Sequence, residues 1–182
     1  MEWLRVVGIS AMAWGLAGCS TTGMIVSGGK MAVQVITGAE AKVRPLEDLS
    51  TVRARDYNAI RLGEVTTDVP AIIPAAKLAI IRTEMEVELG EESKKNLRES
   101  GKALVAKVAA RFLKERGTFG GEARLDMIAT LTDAESGEEL ARLFIEGISK
   151  SPTAGKTEHM AKENAKELVK YLAKKQKGEK YD

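Results

Sequence analysis

Two runs of strict alternation dominate the hydrophobic pattern of this 182-residue chain. Leu104, Ala106, Val108, Ala110 and Phe112 occupy every second position with Lys107 and Arg111 between them, the period of a strand that buries one face. After Gly117-Thr118-Phe119-Gly120-Gly121 turns the chain, Ala123, Leu125, Met127, Ala129 and Leu131 repeat the pattern. Asp133-Ala134-Glu135-Ser136-Gly137 then supplies an Asx start and a glycine for the positive-φ position of a hairpin loop. Leu140 to Ile148 runs back, with Ala141, Leu143 and Ile145 on one side and Arg142 and Glu146 on the other. Three such strands in succession form an antiparallel meander. An earlier strand is predicted from Tyr57 to Glu64, where Ile60 and Leu62 share a face.

Elsewhere the period changes to that of a helix. Leu78, Ile81, Met85 and Leu89 recur at spacings of three, four and four behind Pro74, which suits the first turn of a helix. Gly90 is expected to interrupt or end this helix, leaving the charged run Glu91 to Arg98 as a frayed turn that Ser100-Gly101 stops. A last helix is predicted over Thr157 to Lys175, burying Ala161, Ala165, Leu168, Val169 and Leu172. Together these elements predict an α+β two-layer sandwich: a mainly antiparallel sheet of about four strands with two helices on one face.

The amino terminus follows a different logic. A short apolar run, Val6 to Gly15, stands behind Arg5 and ends in Leu16-Ala17-Gly18-Cys19, the charged start, apolar middle and small-residue exit of a secretory signal. Leu16, Ala17, Gly18 and Cys19 resemble the lipobox of bacterial lipoproteins. The resemblance implies that Cys19 receives a thioether-linked diacylglycerol, that the chain is cut before it, and that the new amino group is acylated. Ser20 follows the cysteine, where aspartate would resemble an inner-membrane retention signal, so the resemblance favours the outer membrane, facing the periplasm. The resulting organisation is a signal peptide over 1–18, a lipidated tether over 19–42, one domain over 43–176 and a frayed tail over 177–182. The tether is Gly-, Ser- and Thr-rich yet carries Met24-Ile25-Val26 and Met31 to Ile36, which suit a short strand, a segment docked on a partner or the bilayer, or a tether whose second half packs on its own domain.

Composition narrows the chemistry. Hydrophobic residues at 44% and charged residues at 30% suit one globular domain, and 4% aromatic residues leave little for stacking platforms. The 28 basic and 26 acidic residues nearly cancel, which argues against a nucleic-acid partner. Cys19 is the one cysteine and His159 the one histidine, so disulfides, histidine-based metal sites and nucleophilic triads lack their parts. Asp126 on a polar strand face and Asp133 at a turn are the carboxylates weighed for acid–base work, and each has an ordinary structural use. Ala154-Gly155-Lys156-Thr157 stands between strand and helix like the end of a phosphate-binding loop, but Lys150 occupies the place of the required first glycine and the strand before it belongs to a hairpin. A loop followed by a Thr157 helix cap explains the same residues. Two basic groups, Arg44, Arg53, Arg55 and Arg61 and then Lys166, Lys170 and Lys174, read as solvated faces with acidic neighbours.

The order of motifs carries one further resemblance. Phe119-Gly120-Gly121, followed by Leu131-Thr132-Asp133-Ala134-Glu135-Ser136-Gly137-Glu138-Glu139-Leu140, lies between a strand–helix–strand segment and a final helix. This order resembles the envelope lipoproteins grouped as domain of unknown function 4410, over about Arg55 to Ala173. That resemblance implies an envelope location and a two-layer fold, and it brings no catalytic residues. The expectation is a non-enzymatic protein with no cofactor, metal or nucleotide, anchored to the membrane through its N-terminal lipid and serving as an accessory or adaptor to another envelope protein. A carrier of lipid or glycan between sheet and helices is the alternative.

Overall fold

The computed structural model describes residues 25–27, 30–32, 38–117, 121–150 and 155–181. The chain divides into two compact units, Met1–Ile36 and Thr37–Asp182. In the first, β1 (Ile25–Ser27) and β2 (Lys30–Ala32) pair antiparallel, with Ile25 opposite Ala32 and Val26 opposite Met31.

The second unit holds one mixed sheet in the order β3-β7-β6-β5-β4 and three helices. Its elements are β3 (Glu40–Glu47), α1 (Thr51–Ala54), β4 (Tyr57–Thr67), α2 (Ala75–Asn96), β5 (Lys102–Lys114), β6 (Ala123–Asp133), β7 (Glu139–Ser149) and α3 (Thr157–Lys177). The meander β5-β6-β7 forms as the alternation predicts, with Val108 opposite Ala129 and Met127 opposite Ile145. Gly137 takes φ +73° at the turn after β6, the conformation that glycine adopts without steric cost.

The sheet departs from expectation at both edges. It has five strands rather than four, because β3 joins β7 antiparallel and begins inside the segment expected to be tether. Pro45 stands next to the register shift between Pro45 and Glu47, and an edge strand tolerates it because no neighbour needs its missing N–H. At the other edge β4 pairs with β5 in parallel, Ile60 opposite Leu104, so α2 serves as the crossover of a β–α–β unit.

A second correction concerns α2. Gly90 neither interrupts nor ends it; the helix continues to Asn96. Ser93 takes the inward position one turn after Leu89, and its Oγ accepts the N–H of Ile60 at 3.2 Å, so a hydrogen bond replaces apolar contact there. Gly90 is exposed, and a Cβ built on it meets nothing within 4 Å. Gly90→Ala is therefore expected to raise stability by about 1 kcal/mol, through the lost unfolded-state freedom of glycine, measured as a higher urea midpoint at unchanged slope.

Both long helices lie on one face. α2 packs on β4 and α3, while α3 covers β3, β7 and β6. The buried side of the sheet, including Leu104, Ala106, Leu125, Met127, Leu131, Leu143 and Ile145, meets Ile81, Met85 and Leu89 of α2 and Leu168 and Leu172 of α3, all at 0–1% exposure. The tail expected to fray returns to the domain. Gly178 caps α3 in the left-handed conformation, and the Tyr181 ring packs edge-on against Tyr171 at 5.4 Å. The Tyr171 hydroxyl accepts the N–H of Leu49 at 2.9 Å and donates to Asp48 at 2.6 Å, fastening the end of β3 to α3.

Candidate functional site

Leu16, Ala17, Gly18 and Cys19 lie outside the described residues. Within the second unit the question becomes which surfaces remain for a partner. The β4 edge of the sheet is already occupied in part. On β4 the Ile60 N–H goes to Ser93, and the Gly63 carbonyl accepts from Arg82 at 3.4 Å. Such contacts use groups through which another strand would pair.

Among the described residues the face away from the helices is open. Its cross-strand rows follow from the register. Thr66, Ala109, Ile128, Phe144 and Arg44 form one row, and Lys107, Thr130 and Arg142 form the next. Arg44 lies over the Phe144 ring at 5.2 Å and Arg124 over Phe112 at 6.0 Å, so guanidinium groups cover the aromatic part of the face. Arg124 is bound on both sides, by Asp126 at 2.8 Å and Glu146 at 2.8 Å.

Phe112 was expected on the buried side of β5. A register shift between Ala110 and Phe112 places it opposite Asp126 instead and brings Leu113 opposite Leu125 on the helix side. The bulge adds one residue, Arg111, and so exchanges the faces of everything after it. The adjacent apolar pair Phe112 and Leu113 does not mark the site in the sequence, because Met127-Ile128 and Phe144-Ile145 are similar pairs in strands that keep their register there.

Beside this bulge the open face holds a depression of about 120 Å³, lined by Glu64, Thr66, Lys107, Arg111, Ile128, Thr130 and Arg142 among others. Arg111 pairs with Asp68 through a terminal nitrogen, and its buried Nε has no partner among the described residues. The sequence offered no sign of this cluster, since its members come from β4, β5, β6 and β7 and meet only through register.

The candidates weighed for chemistry lie apart. Asp126 and Asp133 are seven residues apart on β6, roughly 23 Å at the rise of a strand. Asp133 accepts the N–H groups of Ser136 at 2.8 Å and Glu135 at 2.9 Å and the Tyr57 hydroxyl at 2.8 Å, bonds that hold its carboxyl well below the usual carboxylate range. Tyr57 is raised correspondingly, by burial first and by Asp133 second. His159 is exposed on the first turn of α3, and among the described residues no group of His, Cys, Asp and Glu could hold a metal ion. At the start of α3, Lys156 and not Thr157 is the N-cap residue. Glu115, at the end of β5, receives the Thr157 N–H at 3.1 Å, the Thr157 hydroxyl at 2.6 Å and Lys77 at 2.7 Å. A carboxylate thus occupies the helix end that a phosphate-binding loop would offer to its ligand. The basic groups disperse as well. Arg53 pairs with Glu138, Arg55 bonds the Gln176 carbonyl, Lys166 pairs with Glu163 and Lys170 with Glu167.

These contacts set the pH range of the fold. Burial opposes ionisation of Asp48 and Glu115, but Lys175 and Tyr171 at the first, and Lys77 and Thr157 at the second, outweigh it and lower both carboxyls, as Asp133 is lowered. A lowered folded-state pKa contributes stability above the unfolded values, 3.8 for Asp and 4.5 for Glu, and that stability is lost as pH falls through the folded values. Tyr57, Tyr171 and Tyr181 are raised above 10.0, chiefly by burial, so their contribution is lost as pH rises past that value. Urea midpoints are expected to stay level between about pH 5 and 9 and to fall on either side; a maximum below pH 4 would contradict this.

No family model matches the chain, and no curated protein matches it. The resemblance to domain of unknown function 4410 therefore stands on the residues quoted for it alone. Among solved structures, a PelC variant dodecamer from Paraburkholderia phytofirmans is similar at TM-score 0.44 and 12% identity, over 72% of this chain and 97% of that one. A second PelC dodecamer from the same organism gives 0.40 and 11%, over 73% and 97%. A presumed lipoprotein from Caulobacter crescentus CB15 gives 0.44 and 16%, over 71% of this chain and 100% of that one.

Proposed function

We propose that this chain is a non-enzymatic lipoprotein of the cell envelope, held by acyl chains on Cys19 at the outer membrane and facing the periplasm, where it acts as an adaptor for another envelope protein. The motif Leu16-Ala17-Gly18-Cys19 supports the location. One observation carries the adaptor role: helices cover one side of the sheet and side chains occupy part of the β4 edge, while the open face presents Phe112, Ile128 and Phe144 among cations. A second layer on that face would complete a three-layer arrangement and bury those side chains.

The carrier alternative has less support. A cavity wide enough for a lipid would give its lining accessible surface, whereas the side chains named between sheet and helices are at 0–1% exposure.

Photo-crosslinking in cells tests the adaptor reading. A crosslinking residue at Phe144 or Thr130 is expected to yield a discrete adduct with an envelope protein, and one at Glu86 on the exposed side of α2 is expected to yield none. Equal labelling from both faces, or none from the open one, would defeat the reading.

A further inference from the structure

We propose that the depression beside the β5 bulge is an oxyanion site for a phosphoryl group, formed by Lys107, Arg111, Arg142 and the hydroxyls of Thr66 and Thr130. It lies on the face assigned above to a protein partner, but its argument rests on its own lining.

The first support is an unused donor. Arg111 Nε is buried and has no partner among the described residues, although a terminal nitrogen of the same guanidinium is fixed by Asp68. A buried donor without an acceptor costs free energy, and a bound anion would relieve it. The second support is the arrangement around it. Lys107, Thr130 and Arg142 stand directly opposite one another on β5, β6 and β7, and Thr66 lies two strands from Ile128 in the next row. No ion pair engages Lys107 or Arg142 among the described residues, in contrast to Arg124 on the same face. The third is the backbone. The depression is bordered by two register shifts, one between Leu62 and Val65 and one between Ala110 and Phe112, and these contain Glu64 and Arg111. Bulges of this kind re-aim side chains and are over-represented beside functional sites.

Size and charge select the ligand. The depression, about 120 Å³ and open to solvent, has room within it for a single compact group. Lys107 and Arg142 against Glu64, with the charges of Arg111 and Asp68 cancelling in their pair, leave the lining net positive. A phosphoryl group has three terminal oxygens and up to two charges, so it can use a guanidinium, an ammonium and both hydroxyls at once, where a carboxylate has two oxygens. Free phosphate and the head group of a phosphatidic-acid-type lipid share this chemistry.

The test uses the full chain in uncharged detergent micelles and follows the arginine Nε–H signals by NMR. Inorganic phosphate is expected to shift the Arg111 signal saturably, while chloride at equal ionic strength leaves it in place. Lys107→Gln combined with Arg142→Gln should weaken binding by about tenfold or more without moving the other arginine signals, because no ion pair engages either side chain among the described residues. Dihexanoyl phosphatidic acid, with dihexanoyl phosphatidylcholine as control, separates the sources. Tighter binding than inorganic phosphate identifies a lipid head group, and equal or weaker binding identifies free phosphate. A linear response shared with chloride, or phosphate binding unchanged in the double variant, would overturn the site. Neither result bears on the crosslinking experiment, so the two readings fail separately.

Discussion

Gly147→Ala is expected to destabilise the domain by about 2–4 kcal/mol, read as a fall in the urea midpoint at unchanged slope. Gly147 lies on the helix side of β7, opposite Leu125 of β6 and Ala41 of β3. A Cβ there would stand 2.5 Å from Asn164 Oδ1 and 3.0 Å from its Cγ. Asn164 cannot simply swing away: it is fully buried on α3, and its amide donates to the Leu125 carbonyl at 3.2 Å. The added methyl must therefore push α3 off the sheet or break that hydrogen bond, and overpacking and an unsatisfied buried carbonyl each carry a penalty of about 1–3 kcal/mol. The pairing also has a cycle signature. Asn164→Ala alone leaves the Leu125 carbonyl without its donor, yet it vacates the space that the Gly147→Ala methyl needs. The double variant should consequently be more stable than the sum of the single losses predicts, by about 1 kcal/mol or more. Strict additivity would show that the two residues do not compete for one space.

The same contact shows where sequence reasoning reaches its limit. Ala161, Ala165, Leu168, Val169 and Leu172 were legible as the inner stripe of α3 because their 3.6-residue period stands out against lysine and glutamate, and all five are buried. Asn164 lies on that stripe as well, but a polar residue gives no apolar signal, and its counterpart Gly147 belongs to another element. The meander was legible for a related reason: β5, β6 and β7 each bury one face, so period two is clear. β3 was not, since Val43 is its one buried residue below Pro45 and the strand depends on β7 for its partner. Ser93 hid the second half of α2 by replacing the expected apolar residue with a hydrogen bond to β4. The parallel pairing of β4 with β5 also lay beyond periodicity, which reports a strand's faces and not its direction. For the open face, residue types were readable and neighbours were not: Lys107 and Arg142 are 35 positions apart in the chain but flank the same threonine.

The adaptor reading and the oxyanion site both concern what the domain meets; the proposed anchor would decide where it can meet it. In the reading proposed here Cys19 is the residue that takes the lipid, and no other cysteine is present to do so. A single acyl chain binds a membrane only marginally, at about 0.8 kcal/mol for each buried methylene, whereas two or more hold stably. A diacylglycerol thioether on Cys19 with an acylated amino group would exceed that requirement. The effect of removing the thiol is accordingly all or none, and the fold of the Thr37–Asp182 unit should not change with it.

Metabolic labelling with a clickable palmitate analogue, followed by membrane fractionation, tests this most directly. The unaltered chain is expected to carry the label and to sediment with the outer membrane, and Cys19→Ala is expected to lose the label completely and leave that fraction while keeping the same urea midpoint. Label that persists in Cys19→Ala, or an unaltered chain that never acquires it, would contradict the assignment of this protein as a lipoprotein.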